Sequence, residues 1–188
     1  MLDDPDLDLV LKAQGGDQVA FSTLCRKHYN MVYAVAYGVL SRREEAQDVT
    51  QDVLIKIQRD LHKFKGDSKF KTWLYRVTVN ASIDSVRRRK KTEPIENFGE
   101  SLSTNSISPR RAASQVELKE RMQQALQKLS EDHRAVLVLR EWEELSYEEI
   151  AETLQLEQGT VMSRLFYARK ALAKELNIEY SEIEKQNG

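Results

Sequence analysis

Residues 145–172 constrain the fold most, because LSYEEIAETLQLEQGTVMSRLFYARKAL has the pattern of two short helices joined by a tight turn. Ser146 and Glu149 form a capping box at the start of the first helix. Apolar residues recur at helical spacing along both helices and predict one buried seam between them. The seam residues are Ile150, Ala151, Leu154, Leu156, Val161, Leu165, Ala168 and Leu172. The pattern therefore predicts a helix-turn-helix.

The second helix of this motif has an outward face that the seam leaves free. At about 100° of rotation per residue, that face carries Ser163, Phe166, Tyr167 and Lys170, with Met162 on its flank and Thr160 in the first turn. A helix-turn-helix sets this face into the DNA major groove. There an aromatic or thioether group can press on a thymine methyl while Ser163 hydrogen-bonds a base edge. At the turn, Gln155 stands where glycine usually supplies a positive φ, which predicts mild strain.

A second nucleic-acid signal lies at residues 64–80, FKGDSKFKTWLYRVTVN, and continues into RRRKK at 87–91. Residues 63–91 hold ten basic and two acidic side chains. Lysines alternate with aromatic residues here, and cations that track phosphates beside an aromatic that stacks a base are typical of single-strand binding. The lysines are Lys63, Lys65, Lys69 and Lys71, and the aromatic residues are Phe64, Phe70, Trp73 and Tyr75. We expect Trp73 to be buried, and Phe64 and Asn80 to be the better candidates for touching a base.

The third helix offers a polar face in the segment DVTQDVLIKI, residues 48–57. Asp48 and Asp52 are four residues apart and Gln51 lies beside them, so two carboxylates and an amide share one side of the helix. This face either is simply solvated or binds a basic surface of a partner.

The remaining pattern predicts two all-helical domains, residues 1–91 and 115–188, joined by a flexible polar linker at 92–114 that holds two of the three prolines. In the first domain we expect Gly15 and Gly16 to end a first helix and Asp17 to cap a second. A capping box of Ser41 and Glu44 predicts the start of a third helix, and residues 62–69 predict a loop before a fourth. In the second domain Ser130 is expected to cap a helix.

Composition limits the function further. With 40% hydrophobic and 31% charged residues and a net charge of -1, the chain is expected to fold as a soluble globular protein. Its one cysteine, Cys25, excludes an intramolecular disulfide and a cysteine-rich zinc site. No signal peptide and no run of 18 apolar residues is present, so we expect neither export nor membrane insertion. His28, His62 and His133 lack metal-ligand spacing and no phosphate-binding loop occurs, so we expect no catalysis, cofactor or metal.

Taken together, these motifs resemble the extracytoplasmic-function sigma factors of bacterial RNA polymerase, from about residue 10 to 175. The 48–57 helix looks like the family's polymerase-clamp-binding helix, the 64–80 block like its promoter-melting segment, and the helix-turn-helix like its minus-35 module. The resemblance assigns core-polymerase binding to Asp48, Gln51, Asp52 and Lys56. It assigns the minus-10 single strand to Lys63, Phe64, Lys65, Lys69, Lys71, Asn80, Arg87 and Arg88. It assigns the minus-35 element to Thr160, Met162, Ser163, Arg164, Phe166, Tyr167 and Lys170.

The same resemblance implies the partners. They are core RNA polymerase, through the clamp coiled coil of its largest subunits and its flap, promoter DNA, and an inhibitory anti-sigma factor. It also implies a cytoplasmic chain that an anti-sigma factor can hold at the inner membrane face. Met162 departs from the family, since relatives often carry a basic residue there, so the minus-35 sequence preference does not carry over.

Two other functions are compatible with parts of the sequence. A free-standing helix-turn-helix regulator explains the second domain but leaves the basic and aromatic block without a purpose. A nucleic-acid enzyme would need catalytic or metal-ligand spacing that the histidines and Cys25 do not provide.

Overall fold

The structure, a computed structural model, describes residues 4–92 and 111–177, and its regular elements in those ranges are helices. The N-terminal domain comprises α1 (Leu7–Gln14), α2 (Gln18–Leu40), α3 (Arg43–Asp60) and α4 (Phe70–Thr92), with a 3-10 turn, Leu61–Lys63, after α3. The C-terminal domain comprises α5 (Arg111–Gln127), α6 (Glu131–Leu137), a π turn (Val138–Trp142), α7 (Tyr147–Leu154) and α8 (Gln158–Leu176). The predicted all-α, two-domain class is confirmed.

Most predicted helix ends are present. Gly15 follows α1, and the Asp17 carboxylate accepts hydrogen bonds from the backbone N–H groups of Val19 and Ala20 at 2.8 and 3.0 Å, which caps α2. Ser130 caps α6 by accepting from the His133 N–H. These ends could be predicted because a cap and its partners lie within three residues of one another in the sequence.

Two boundaries were predicted wrongly. Ser41 does not cap α3: it ends α2 in the left-handed conformation (φ 55°), and its N–H donates to the Tyr37 carbonyl. Arg42 precedes α3 instead and makes no side-chain cap. The predicted linker ran from 92 to 114, and its residues 93–110 lie outside the described residues. Because α5 begins at Arg111, the last four residues of the predicted linker are helical.

Each domain has its own apolar core. In the N-terminal domain Leu24 of α2, Val53 of α3, and Phe70 and Leu74 of α4 are each at most 2% exposed and pack the three helices together. The C-terminal core joins α6, the π turn, α7 and α8. Its buried members include Val136, Leu139, Ile150, Val161 and Leu165.

The C-terminal core does not stop at the domain boundary. Val35 and Val39 of α2, with Tyr75 and Val79 of α4, are buried in the same cluster. Gly38 permits a close approach here, because a Cβ atom at this position would lie 2.5 Å from a methyl of Val138 and 2.7 Å from the Trp142 ring. The two described domains therefore pack face to face through apolar side chains.

Polar contacts surround this domain interface. The Tyr75 hydroxyl donates to Glu143 at 2.7 Å, and burial together with this bond raises the pKa of Tyr75. Arg76 donates to the backbone carbonyls of Glu152 (2.8 Å) and Thr153 (3.2 Å) at the end of α7. Lys90 pairs with Glu131 at 3.0 Å. Arg76 thus satisfies carbonyl groups that a helix end leaves without intrahelical partners.

Candidate nucleic-acid and partner interfaces

The helix-turn-helix forms as its sequence predicts. The Ser146 hydroxyl accepts from the Glu149 N–H at 3.1 Å, while the Glu149 carboxylate accepts from the Ser146 N–H at 2.8 Å. Gln155 adopts the left-handed conformation (φ 55°, ψ 49°), so the expected strain at the turn is present. The seam residues Ile150 and Val161 are 0% exposed. This buried seam fixes which side of α8 faces outward.

The predicted outward face of α8 is exposed. Met162, Phe166 and Tyr167 are 53%, 44% and 58% exposed, and the two aromatic rings lie edge to face with centroids 5.3 Å apart. The Ser163 hydroxyl bonds the Thr160 carbonyl at 3.0 Å, so its oxygen can still accept a bond from a base edge. Large apolar groups this exposed on one face are typical of a binding surface.

The cations around this face differ in availability. Lys170 is exposed, whereas the Arg164 guanidinium lies 3.4 Å from Asp132 of α6 and is only 31% exposed. Arg169, which the sequence did not single out, pairs with Glu141 at 2.6 Å. Arg164 is therefore less available to a phosphate than Lys170.

The loop between α3 and α4 presents its lysines to solvent. Lys63, Lys65, Lys69 and Lys71 are all exposed. Lys63 pairs with Asp60 at 2.8 Å, and hydrogen bonds from Arg59 and Lys63 hold the pKa of Asp60 far below its usual range. The Lys71 ammonium lies 5.3 Å from the centre of the Tyr75 ring. Lys65 and Lys69 therefore carry the clearest unshared charge in the loop itself.

Phe64 is placed differently from our expectation that it would touch a base. Its side chain is only 7% exposed, and its ring packs against Phe70 and Trp73 at centroid distances of 5.8 and 5.6 Å. Trp73, which we expected to be buried, is half-buried in this group. A buried phenylalanine ring is more stable than one exposed to water. Phe64 therefore anchors the loop to α4 in this conformation.

The remaining residues of the basic block lie along α4. Asn80 is exposed, as are Arg87 and Arg88 near the end of the helix. Arg89 is half-buried and pairs with Glu45 of α3 at 2.6 Å. The accessible cations at this end, beside an accessible amide, form a surface that can follow a DNA strand.

The polar face of α3 is open. Asp48, Gln51, Asp52 and Lys56 are all exposed. Ile55 lies on the same face and is 63% exposed, which the sequence analysis missed although it stands four residues after Gln51 and seven after Asp48. An exposed isoleucine next to Gln51 and Asp52 on the helix surface favours a protein partner over simple solvation.

The buried histidine has a structural environment. His28 is 6% exposed and bonds the Asp6 carboxylate at 2.9 Å, and burial lowers the pKa of its ring despite that carboxylate. Within residues 4–92 and 111–177, no group of three or more His, Cys, Asp or Glu side chains is arranged to hold a metal ion. None of the helices in those ranges combines the length and the apolar character needed to cross a bilayer.

Two family models match the chain, one on each domain. Sigma-70 region 2 matches residues 24–92, which include α3, the loop and α4. Sigma-70, region 4 matches residues 119–172, which include α7 and nearly all of α8.

Curated relatives match over most of their length. The RNA polymerase sigma-H factor of Pseudomonas aeruginosa is 38% identical over 180 residues, covering 91% of this chain and 93% of that protein. The ECF RNA polymerase sigma factor SigW of Bacillus subtilis is 32% identical over 177 residues, covering 89% and 94%. The sigma-E factor of Escherichia coli K12 is 35% identical over 176 residues, covering 89% and 92%.

Solved structures share the fold. CnrH, in complex with the cytosolic domain of CnrY, superposes with a TM-score of 0.70 at 28% identity, covering 93% of this chain and 98% of that one. The sigma factor RpoE from Bartonella quintana, in complex with the anti-sigma factor NepR, gives a TM-score of 0.64 at 26% identity, covering 85% and 98%. Both matches extend across the domain boundary.

Proposed function

The chain belongs to the extracytoplasmic-function sigma factors, the non-enzymatic initiation subunits of bacterial RNA polymerase, and on that basis we propose which of its surfaces meets each partner. It acts as an RNA polymerase sigma factor. The observation that carries this conclusion is the match to relatives across both domains, 180 residues at 38% identity in one case. A free-standing helix-turn-helix regulator is not favoured, because it would need only the C-terminal half.

We assign the minus-35 element to the outward face of α8. Its exposed rings and the Ser163 hydroxyl have the chemistry of major-groove readout: apolar contact to thymine methyls and hydrogen bonding to a base edge. Thr160, Met162, Arg164 and Lys170 surround Ser163, Phe166 and Tyr167 on the helix. The exposure of Phe166 and Tyr167 on a helix whose other side is a packed core supports this assignment.

The minus-10 element is assigned to the loop and α4. Lys63, Lys65, Lys69 and Lys71 form a cationic track, which Asn80, Arg87 and Arg88 extend along the helix. Because Phe64 is buried, the contact to an unstacked base falls to the exposed backbone and side chains of residues 65–69 and to Asn80, rather than to the Phe64 ring. This surface would hold one DNA strand after the duplex opens.

Core RNA polymerase is assigned to the exposed face of α3, with Asp48, Gln51, Asp52 and Lys56 around Ile55. The partner surface would be the basic clamp coiled coil of the largest subunits, with the flap meeting the C-terminal domain. Acting on polymerase places the chain in the cytoplasm. The complex of RpoE with the anti-sigma factor NepR supports an anti-sigma partner for this chain as well. We propose that it binds these same surfaces, and that a membrane-bound one would hold the chain at the inner membrane face.

Promoter binding requires the two domains to separate. Elements centred near minus 35 and minus 10 are about 25 base steps apart, or about 85 Å at 3.4 Å per step. In the structure Arg76 of α4 bonds α7 directly, and α4 itself is only about 35 Å long at 1.5 Å per residue. The closed arrangement leaves the proposed surfaces exposed but holds them too close together for this spacing.

The function is tested by transcription with purified core polymerase plus this chain, followed by sequencing of the transcript 5′ ends. We expect start sites that share an upstream and a downstream element at one fixed spacing. Specific operator binding by the free chain, with no dependence on core polymerase, would contradict the proposal.

Replacing Ser163 and Phe166 together by alanine should lower selectivity for the upstream element ten- to thirtyfold. The loss of one base-edge hydrogen bond and one methyl contact sets this magnitude, at about 1.4–2 kcal/mol in total. Holoenzyme footprinting on promoter and scrambled upstream DNA measures it. The matched control is Ser22→Ala with Tyr29→Ala, a hydroxyl and a ring that are both exposed on α2, and it should leave the footprint unchanged.

A further inference from the structure

Helix α1 and the residues just before it hold both ends of the loop that we assign to the DNA strand. Gln14, the last residue of α1, contacts the backbone where the loop begins, and Asp4, just before α1, contacts the backbone where α4 begins. Neither residue belongs to the basic block, and neither lies near it in the sequence. The start of the chain therefore constrains a segment about fifty or more residues later.

The Gln14 contact is bidentate. Its side-chain amide donates to the Leu61 carbonyl at 2.9 Å and to the Phe64 carbonyl at 2.8 Å, so both amide hydrogens are used. The Leu61 carbonyl also accepts the Phe64 N–H at 3.0 Å, which closes the 3-10 turn. Gln14 thereby fixes the direction in which the chain leaves that turn.

The Asp4 contact caps α4 from a distance in sequence. Its carboxylate accepts the Phe70 N–H at 2.6 Å and the Asp6 N–H at 3.0 Å. A carboxylate at this position satisfies an unpaired N–H and favours the positive end of the helix dipole. Asp6 in turn is 2% exposed and bonds His28 of α2, which ties the segment to the domain core.

Between these two anchors the loop projects into solvent. Phe64 and Phe70 are 7% and 1% exposed, whereas Lys65, Asp67 and Lys69 are exposed. Gly66 has a φ of +81°, which a side chain would disfavour. The loop is therefore a short span of five residues held at both ends.

We propose that Gln14 and Asp4 are positioning residues for promoter opening: they set the spacing and direction of residues 65–69, and so pre-organise the surface that captures a single DNA strand. This inference rests on the proposed function of the loop. Pre-organisation matters because an untethered loop must lose conformational entropy when it binds. A residue that does not touch DNA then affects the strand-capture step alone.

The test uses holoenzyme reconstituted with full-length variants and a duplex promoter mapped by transcript sequencing. Gln14→Ala should slow open-complex formation about tenfold, since it loses two hydrogen bonds, as read by permanganate reactivity of unpaired thymines. Gln14→Glu should slow it at least as much, because a carboxylate would face two carbonyl oxygens. Asp4→Ala should slow it about fivefold, and Asp4→Asn should restore most of the rate because its amide oxygen still accepts the Phe70 N–H.

Three controls make each outcome decisive. Gln18→Ala, an exposed glutamine in the first turn of α2, should open the promoter normally. Core-polymerase capture and the upstream footprint should stay within twofold of the native values in the Gln14 and Asp4 variants. An equal loss in capture, footprint and promoter opening would show a merely structural role and overturn the inference. Lys65→Ala with Lys69→Ala should also impair opening.

These results test the positioning role of Gln14 and Asp4 separately from the assignment of the loop to single-stranded DNA. If the lysine pair impairs opening but the Gln14 variants and Asp4→Ala do not, the positioning inference is wrong and the loop assignment stands. If the lysine pair opens the promoter normally, the loop assignment fails, and the inference fails with it.

Discussion

Asp48→Arg combined with Asp52→Arg is expected to weaken capture of core RNA polymerase at least a hundredfold. Both carboxylates are exposed on the α3 face beside Ile55, which is 63% exposed. Against a basic partner, each charge reversal replaces attraction by repulsion. Each should cost about 1.5 kcal/mol or more of binding free energy. Titration of labelled chain with core polymerase at moderate salt measures the loss, and the melting temperature should barely change because surface substitutions cost little stability.

Two comparisons isolate the electrostatic cause. Asp8→Arg with Glu148→Arg changes the net charge equally at exposed acidic residues of α1 and α7, and it should leave capture unchanged. Raising the salt toward 1 M shrinks the Debye length from about 10 to about 3 Å, so the difference between native chain and variant should narrow. Full capture by the charge-reversed chain at moderate salt would remove α3 from the polymerase interface.

The helix-turn-helix and its outward face could be predicted because their sequence signals are local. A capping box places Ser146 and Glu149 within one helical turn, and apolar spacing fixes the seam around Ile150 and Val161. Once the seam is assigned, the opposite face of α8 follows by rotation alone, and Phe166 is exposed as expected. Ile55 could have been found by the same spacing rule.

What the sequence did not reveal depends on contacts between distant residues. Phe64 lies in a basic, aromatic segment typical of strand binding, yet Phe70 and Trp73 bury its ring. Ser41 has the sequence of a cap, but α2 extends to Leu40 and uses Ser41 to terminate. Gln14 reaches carbonyls 47 and 50 residues away. No periodicity or local motif encodes such partners.

The domain interface also depends on contacts between residues that are distant in the sequence, and Gly38 is an example. A glycine inside a helix is unfavourable by about 1 kcal/mol relative to alanine, so its position near the end of α2 calls for a packing reason. The sequence supplies none nearby. In the structure Val138 and Trp142, a hundred residues later, lie where its Cβ would be. The glycine thus allows α2 to approach the C-terminal domain.

Gly38→Val should therefore open the closed arrangement. Within α2 the change is mildly favourable, because valine has a better helix propensity than glycine. Across the interface, the added carbons would overlap the stiff Val138 side chain and the Trp142 ring, and such overpacking typically costs about 1–3 kcal/mol. Separating the domains relieves that cost and leaves the core of α2, α3 and α4 intact, while it exposes the interface residues Val35 and Val39. X-ray scattering should show the radius of gyration rising from about 16 Å, the value for a compact chain of this length, to above about 20 Å.

Gly159→Val provides the matched control, since nothing lies within 4 Å of a Cβ at Gly159. That variant should stay compact. Gly38→Val should still capture core polymerase, because the α3 face is untouched, and it should capture it faster if domain separation limits assembly in the native chain. A Gly38→Val chain as compact as the native one would mean that the interface repacks around the new side chain, so that α2 and the π turn do not control separation. An open chain with normal capture would instead show that loosening the packing at Gly38 is enough to reach the promoter-spanning form.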